Sequence, residues 1–243
     1  MGMRSPENNN SSLSKLSAIS TRVLIEFEPG RESAQSLEIE LIESHMRIVY
    51  SVPSHCEFLR SATPSEPILA EAAAQYMAEL SEIPEVLASY ASNGPVEKGE
   101  SGELAARLLL ITAYDNAVKN KLPRVDNPFF SDPVPLFSFL RELFGKSNCK
   151  SLFKSTCTTS VRATCSQAQA SMTSSEETTA TSELRFKDIY KDAYVRFTHF
   201  ARFDKGNEIN TQTILAAFVR GMAVQCDNDH KSIDIVIPIV HES

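Results

Sequence analysis

At 243 residues with 42% hydrophobic side chains, the chain is long enough for one good core or two small ones. It has no apolar run near the roughly 20 residues that cross a bilayer, and its polar start, with Asn8, Asn9 and Asn10, is no secretory signal. The net charge of −7 is uneven: residues 1–145 carry 12 Lys and Arg against 20 Asp and Glu, which argues against that half wrapping phosphate backbones, while 146–243 carry 12 against 11.

Residues 1–20 are rich in Ser and Asn and poor in apolar side chains, and are expected to be a disordered tail. From 21 to 145 the reading is mainly helical. Arg22 to Phe27 is a short strand or extended arm before the turn at Pro29 and Gly30. Leu37, Leu41 and Ile48, with Ile39, Ile42, Met46 and Val49, recur at helical spacing until Pro53 stops them. Pro67 in a first turn opens another helix with Ile68, Leu69, Ala72, Ala73, Tyr76, Met77 and Leu80 on a wide apolar face. A shorter helix starts at Ile83 and ends near Gly94. Ser101 is read as an N-cap, with Glu103 in the positive first turn of a helix over 102–119. A further helix over 134–144 ends at Gly145.

Residues 146–182 change abruptly to Ser and Thr and are expected to be a flexible linker or insertion, its first part cationic with Lys146, Lys150, Lys154 and Arg162. Residues 183–243 are expected to form a small α/β unit. It comprises a short helix before residue 192, an alternating strand over 194–200, a turn at Gly206 and Asn207, a helix over 213–226 and a final strand from Ile233. Five branched apolar residues between Ile233 and Ile239, interrupted by Asp234 and Pro238, read as a strand covered on both faces. The fold class is therefore α+β: a predominantly helical N-terminal region followed by a small mixed α/β unit.

Few residues carry chemistry. Cys149, Cys157 and Cys165 lack the short ligand spacing of structural zinc sites. With no export signal, they and Cys56 and Cys226 are expected as reduced thiols in an intracellular protein, cytoplasmic or nuclear. Gly94 and Gly99 have a phosphate-loop separation, but Glu100 stands where lysine is needed. His199, between aromatic residues, is read as a core or subunit-contact histidine, with a base or ligand as the alternative. Asp234 is a carboxylate in an apolar run. It is either a site residue, since such a group is costly unless paired, or the exposed start of its strand.

The segments 65–72, 102–108, 194–200 and 234–240 resemble uncharacterised proteins of mushroom-forming fungi with Crinkler-like and restriction-endonuclease-like affinity. The resemblance implies an incomplete restriction-endonuclease-like sheet. In such folds a helical glutamate precedes strands bearing an aspartate and then a lysine, the carboxylates holding Mg²⁺ for phosphodiester cleavage. Carried over, Asp234 is the strand carboxylate, catalytic and metal-binding, and Glu103 the helix glutamate; the lysine strand has no counterpart before Ser243. The chain as written is accordingly expected to be a non-catalytic interaction module with protein partners and no cofactor, or a fragment of a larger protein. The alternative is a metal-dependent nuclease-like domain acting on nucleic acid and lacking its last strand.

Overall fold

The computed structural model describes residues 7–27, 31–55, 59–80, 83, 101–121, 129–159, 182–202, 210–226 and 233–241. The short helix expected from Ile83, the glycines of the phosphate-like loop before Gly102, the turns at 29–30 and 206–207, and most of the Ser/Thr segment lie outside them. Among the described residues the architecture is α+β, with helices packed around several small sheets.

The first helix, α1 (Glu7–Val23), replaces the expected tail. Leu13, Leu16, Ile19 and Val23 recur at three- and four-residue intervals, and the last three are buried in the main core. The stripe offsets the ordering entropy that average composition suggested could not be met. The helix stops at Leu24, whose left-handed φ of 50° turns the chain into an extended segment reaching Phe27.

Helix α2 (Glu32–Glu43) ends sooner than its pattern implied. His45 enters the left-handed region, and the N–H groups of Met46 and Arg47 both donate to the Leu41 carbonyl. Ile48, Val49 and Tyr50, branched or aromatic, then form β1 (Ile48–Ser51), antiparallel to β2 (Arg60–Ala62) with an irregular register between Val49 and Ser51.

Helix α3 (Pro67–Ala78) starts where Pro67 placed it, but its buried face is Ala70, Ala73, Ala74 and Met77, while Ile68 is exposed. Small side chains allow close packing against α1. Glu71 on this helix accepts hydrogen bonds from the N–H groups of Phe130 (2.9 Å) and Ser131 (2.7 Å), fixing the segment that follows α4 (Ser101–Lys121).

The helix expected over 134–144 is a strand residue pair and then a longer helix. Val134–Pro135 forms β3, and α5 (Leu136–Lys154) is broken at Gly145, whose φ of 78° suits a residue without Cβ. The chain resumes helical geometry beyond it with Cys149 buried, then forms β4 (Thr156–Thr159), antiparallel to β5 (Ser182–Arg185). Both described ends of the expected linker are thus regular structure.

After α6 (Phe186–Ile189), the single strand expected over 194–200 is two. β6 (Ala193–Val195) pairs with β3 and with the last strand, and β7 (His199–Arg202) belongs to another sheet. Between them Phe197 is fully buried against Tyr114 (ring centroids 4.7 Å), Phe139 (5.7 Å) and Phe200 (5.9 Å). Helix α7 (Thr211–Arg220) is capped by the Asn210 side chain, which accepts from Thr213 N–H, and ends on Gly221 at φ 63°. The helical pattern expected to reach Cys226 therefore stops at Arg220, and Met222–Gln225 is β8, buried along its whole length and parallel to β7. The β7–α7–β8 unit carries a parallel pair, but its second strand lies in the segment expected as helix, and the run from Ile233, expected as the strand after that helix, adds antiparallel to β8, so the sheet is mixed.

The C-terminal run is not a strand covered on both faces. β9 (Ile235–Val236) lies at the edge of the β7–β8–β9 sheet, half-buried, and β10 (Ile239–His241) pairs with β6 in the other sheet. Pro238 lacks the N–H a continuous ladder requires, so the run divides and joins two sheets, with Ile233 and Ile239 exposed.

Candidate functional site

Two cavities draw polar side chains together. The first is about 370 Å³ and contains both residues that the sequence nominated. Glu103, in the first turn of α4, and Asp234, on the bend before β9, border it with Gly102, Arg107, Gln225 and Ile235. The spacing Leu104, Arg107, Ile111, Tyr114, Val118 puts Arg107 on the buried stripe of α4, where it is 1% exposed.

A buried guanidinium needs its donors satisfied. Arg107 donates through Nε to the Val23 carbonyl (2.7 Å) and through Nη2 to the Leu24 carbonyl (3.0 Å), closing the end of α1. Its Nη1 donates to Gln225 Oε1 and lies 3.5 Å from Glu103 Oε2, and the Gln225 amide donates to that same carboxylate oxygen. Glu103, Gln225 and Arg107 thus form a closed circuit joining α4, β8 and the end of α1.

Asp234 stands apart from that circuit. Its side chain is exposed, and its carbonyl accepts from Cys226 N–H (2.8 Å). Burial, and then the Asp234 charge, push the Cys226 thiol up. Of the two readings left open for Asp234, the exposed start of the strand is the one observed.

Mg²⁺ prefers about six oxygen ligands in a rigid octahedron and dehydrates reluctantly. The cavity supplies two carboxylates, one already held by a guanidinium and an amide, and a Gln225 oxygen already bonded to Arg107. Arg107 adds a fixed positive charge to the place a cation would occupy. As arranged, this donor set does not fit a resident divalent cation. Among the described residues no group of three or more His, Cys, Asp or Glu is placed to hold a metal ion.

The second cavity is about 450 Å³ and lies between the extended segment after α1, the β1–β2 ribbon and β7. Its floor is a buried polar cluster. Glu38 accepts from the N–H (3.1 Å) and hydroxyl of Ser61, and Arg47 donates to Ser61 Oγ (2.7 Å), the Ser61 carbonyl (2.7 Å) and the Ile25 carbonyl (3.0 Å). Burial lowers the Arg47 guanidinium to about 10, against the opposing attraction of Glu38, so it remains cationic at neutral pH. At one side Arg202 pairs with Glu26.

Ser65 also borders this cavity, and its hydroxyl lies 2.9 Å from His199 Nε2. Thr198 Oγ1 donates to the Gly221 carbonyl (3.3 Å), so it accepts from His199 Nδ1–H (3.1 Å), leaving Nε2 to accept from Ser65. The distances resemble a nucleophile and its base. The electrostatics oppose it: burial first, then Arg22 and Arg220, hold the His199 imidazole down at about 4. A base in catalysis must carry the proton it takes, and here the imidazolium would face two guanidiniums, with no carboxylate hydrogen-bonded to it among the described residues. The pair ties the entry of α3 to β7, and His199 is a core histidine.

Arg107, Gln225 and Arg47 had not been singled out from the sequence. For Arg107 the signal was present, an arginine in phase with a helix's apolar stripe. Gln225 and Arg47 depended on strands that helical periodicity had concealed.

A family model described as a domain of unknown function (DUF8736) matches residues 4–156. No curated protein and no solved structure matches the chain.

Proposed function

The chain belongs to that family, the domain of unknown function DUF8736, and from this premise we propose that it is an intracellular interaction module that works through protein contacts without turning over a substrate. The affinity to Crinkler-like and restriction-endonuclease-like fungal proteins belongs to the same reading.

One observation carries it. In β1 the consecutive residues Ile48, Val49 and Tyr50 are 54%, 41% and 60% exposed, and Val52 just beyond is 54% exposed. A ribbon of two strands leaves β1 with one edge outside any described ladder, so a row of branched and aromatic side chains accompanies unpaired strand edge. Contiguous exposed apolar residues of this kind mark contact surfaces, and an edge strand can take up an extended partner segment.

A photo-crosslinking amino acid placed at Val49, with a second at exposed Ser36 on α2 as control, tests this in cells. Discrete adducts at position 49 that are absent from position 36 and lost on Tyr50→Asp are expected. Equal yields at the two positions would refute the reading.

The alternative, Mg²⁺-dependent phosphodiester cleavage centred on Asp234 and Glu103, has in its favour that both carboxylates border one cavity. Purified protein is expected to leave DNA and RNA intact in Mg²⁺. Cleavage abolished by Asp234→Asn would install that alternative.

A further inference from the structure

The 450 Å³ cavity is within the range of small-ligand sites, roughly 300–1,000 Å³, and its lining is unlike the chain as a whole. The protein is acidic, yet Arg47, Arg60 and Arg202 meet Glu26 and Glu38 here, an excess of one positive charge. Low-dielectric walls concentrate such a field. Those walls are aliphatic and aromatic, from Leu24, Leu59, Ala62, Ala201 and the ring of Phe27.

The charges differ in how firmly they are held. Glu38 and Arg47 are buried and satisfied by Ser61 and backbone carbonyls, with the Arg47 guanidinium 4.8 Å from the centre of the Phe27 ring. They form a rigid floor that no ligand need rearrange. The Arg202–Glu26 pair is different, its side chains 29% and 37% exposed. Ion pairs that water reaches contribute little to stability, so an incoming anion can exchange with Glu26 at small cost. Released, Glu26 regains its hydration.

We propose that this cavity binds a small organic monoanion with a flat apolar body, whose carboxylate takes the place of Glu26 on Arg202 while the body lies against Leu24, Leu59 and Phe27. One negative charge matches the excess of one positive charge, and the flat body fits a space with apolar walls over a polar floor already satisfied. Tyr50 borders this cavity and also belongs to the β1 surface proposed for protein contacts, so the two share one wall, but binding at Arg202 does not rest on the contact reading.

The test uses the full chain and isothermal titration calorimetry with 1-naphthoate, compared with its neutral isostere 1-naphthamide. The acid is expected to bind once per chain and about ten-fold tighter than the amide, the margin of a charge-assisted over a neutral hydrogen bond. Glu26→Gln removes the internal competitor and is expected to tighten the acid several-fold, by the same reasoning. Arg202→Gln is expected to reduce the acid to the level of the amide. Both positions are partly exposed, and circular dichroism identical to the parent shows that the variants are folded. Absence of saturable binding, equal affinity of acid and amide, or a Glu26→Gln variant that binds the acid no more tightly overturns the proposal.

Discussion

Arg22→Leu removes a guanidinium that is fully buried and joins three elements. Nη1 and Nη2 meet the two oxygens of Asp115 on α4, each at 2.7 Å, and Nε donates to the Thr198 carbonyl at 2.8 Å, just before β7. Asp115 is 13% exposed, so without Arg22 a nearly buried carboxylate is left unpaired. Breaking such a pair costs about 3–5 kcal/mol, to which the orphaned Thr198 carbonyl belongs. Against total stabilities of roughly 5–15 kcal/mol this is a large fraction. In urea denaturation followed by circular dichroism, the midpoint should fall by roughly 1–2.5 M for m-values of about 2–3 kcal/mol/M. The double variant Arg22→Leu, Asp115→Leu should recover most of the loss, because replacing both charges by apolar side chains leaves only the Thr198 carbonyl unsatisfied. A single-variant loss below about 1 kcal/mol, within the range of an exposed ion pair, would refute the reasoning. So would a double variant no more stable than the single.

Three more outcomes follow from the same contacts. Leu16→Ala should cost about 2–5 kcal/mol, and deletion of residues 1–20 should abolish cooperative unfolding, since it takes fully buried Leu16 and Ile19 from the core; a truncated chain that melts like the parent would contradict this. His199 is neutral in the fold and held near 4, whereas in the unfolded chain it titrates near 6.5, so the unfolded state binds more protons between those values. Stability should therefore fall by roughly 2–4 kcal/mol as pH drops from 6.5 to 4 and level off below, a dependence that melting curves should show reduced in a folded His199→Gln variant. Gly221→Ala should cost about 1 kcal/mol from its left-handed backbone alone, because the added Cβ meets nothing closer than Arg196 Nε at 3.7 Å; thermal melts check the size of the loss.

Local signals were legible where one residue has one use. Pro67 opened α3, Gly145 interrupted the helix it was expected to end, and an alternating run near 194–200 and an apolar run after 233 announced extended chain, each of which is two short strands rather than one. What the sequence concealed depends on distant partners. The run Asn8 to Asn10 and the serines hid the stripe of Leu13, Leu16 and Ile19, because average composition does not register a few apolar residues at regular spacing, nor that Ser17, Ser20, Thr21 and Arg22 are themselves buried. Met222 to Gln225 continued the periodicity of α7, and only Gly221 in the left-handed region separates helix from buried strand. Glu103 and Asp234 border one cavity, but the circuit with Arg107 and Gln225 that occupies Glu103 could not be read from spacing, since it crosses 118 positions of chain.

The reach of Arg22 and Arg107 has a consequence for how the chain is made. Arg22 finds its Thr198 carbonyl 176 positions later, and Arg107 its Gln225 amide 118 later. During synthesis, α1, α3 and α4 emerge well before either partner exists, with two guanidiniums committed to an interior that has no counterpart for part of their bonding. Residues 4–156, the span matched by the family model, contain neither Thr198, Gln225 nor the Phe197 ring that fills the space between Tyr114 and Phe139. Those bonds can close only once β7 and β8 have been made, and contacts between residues so far apart in the chain are among the slower to form.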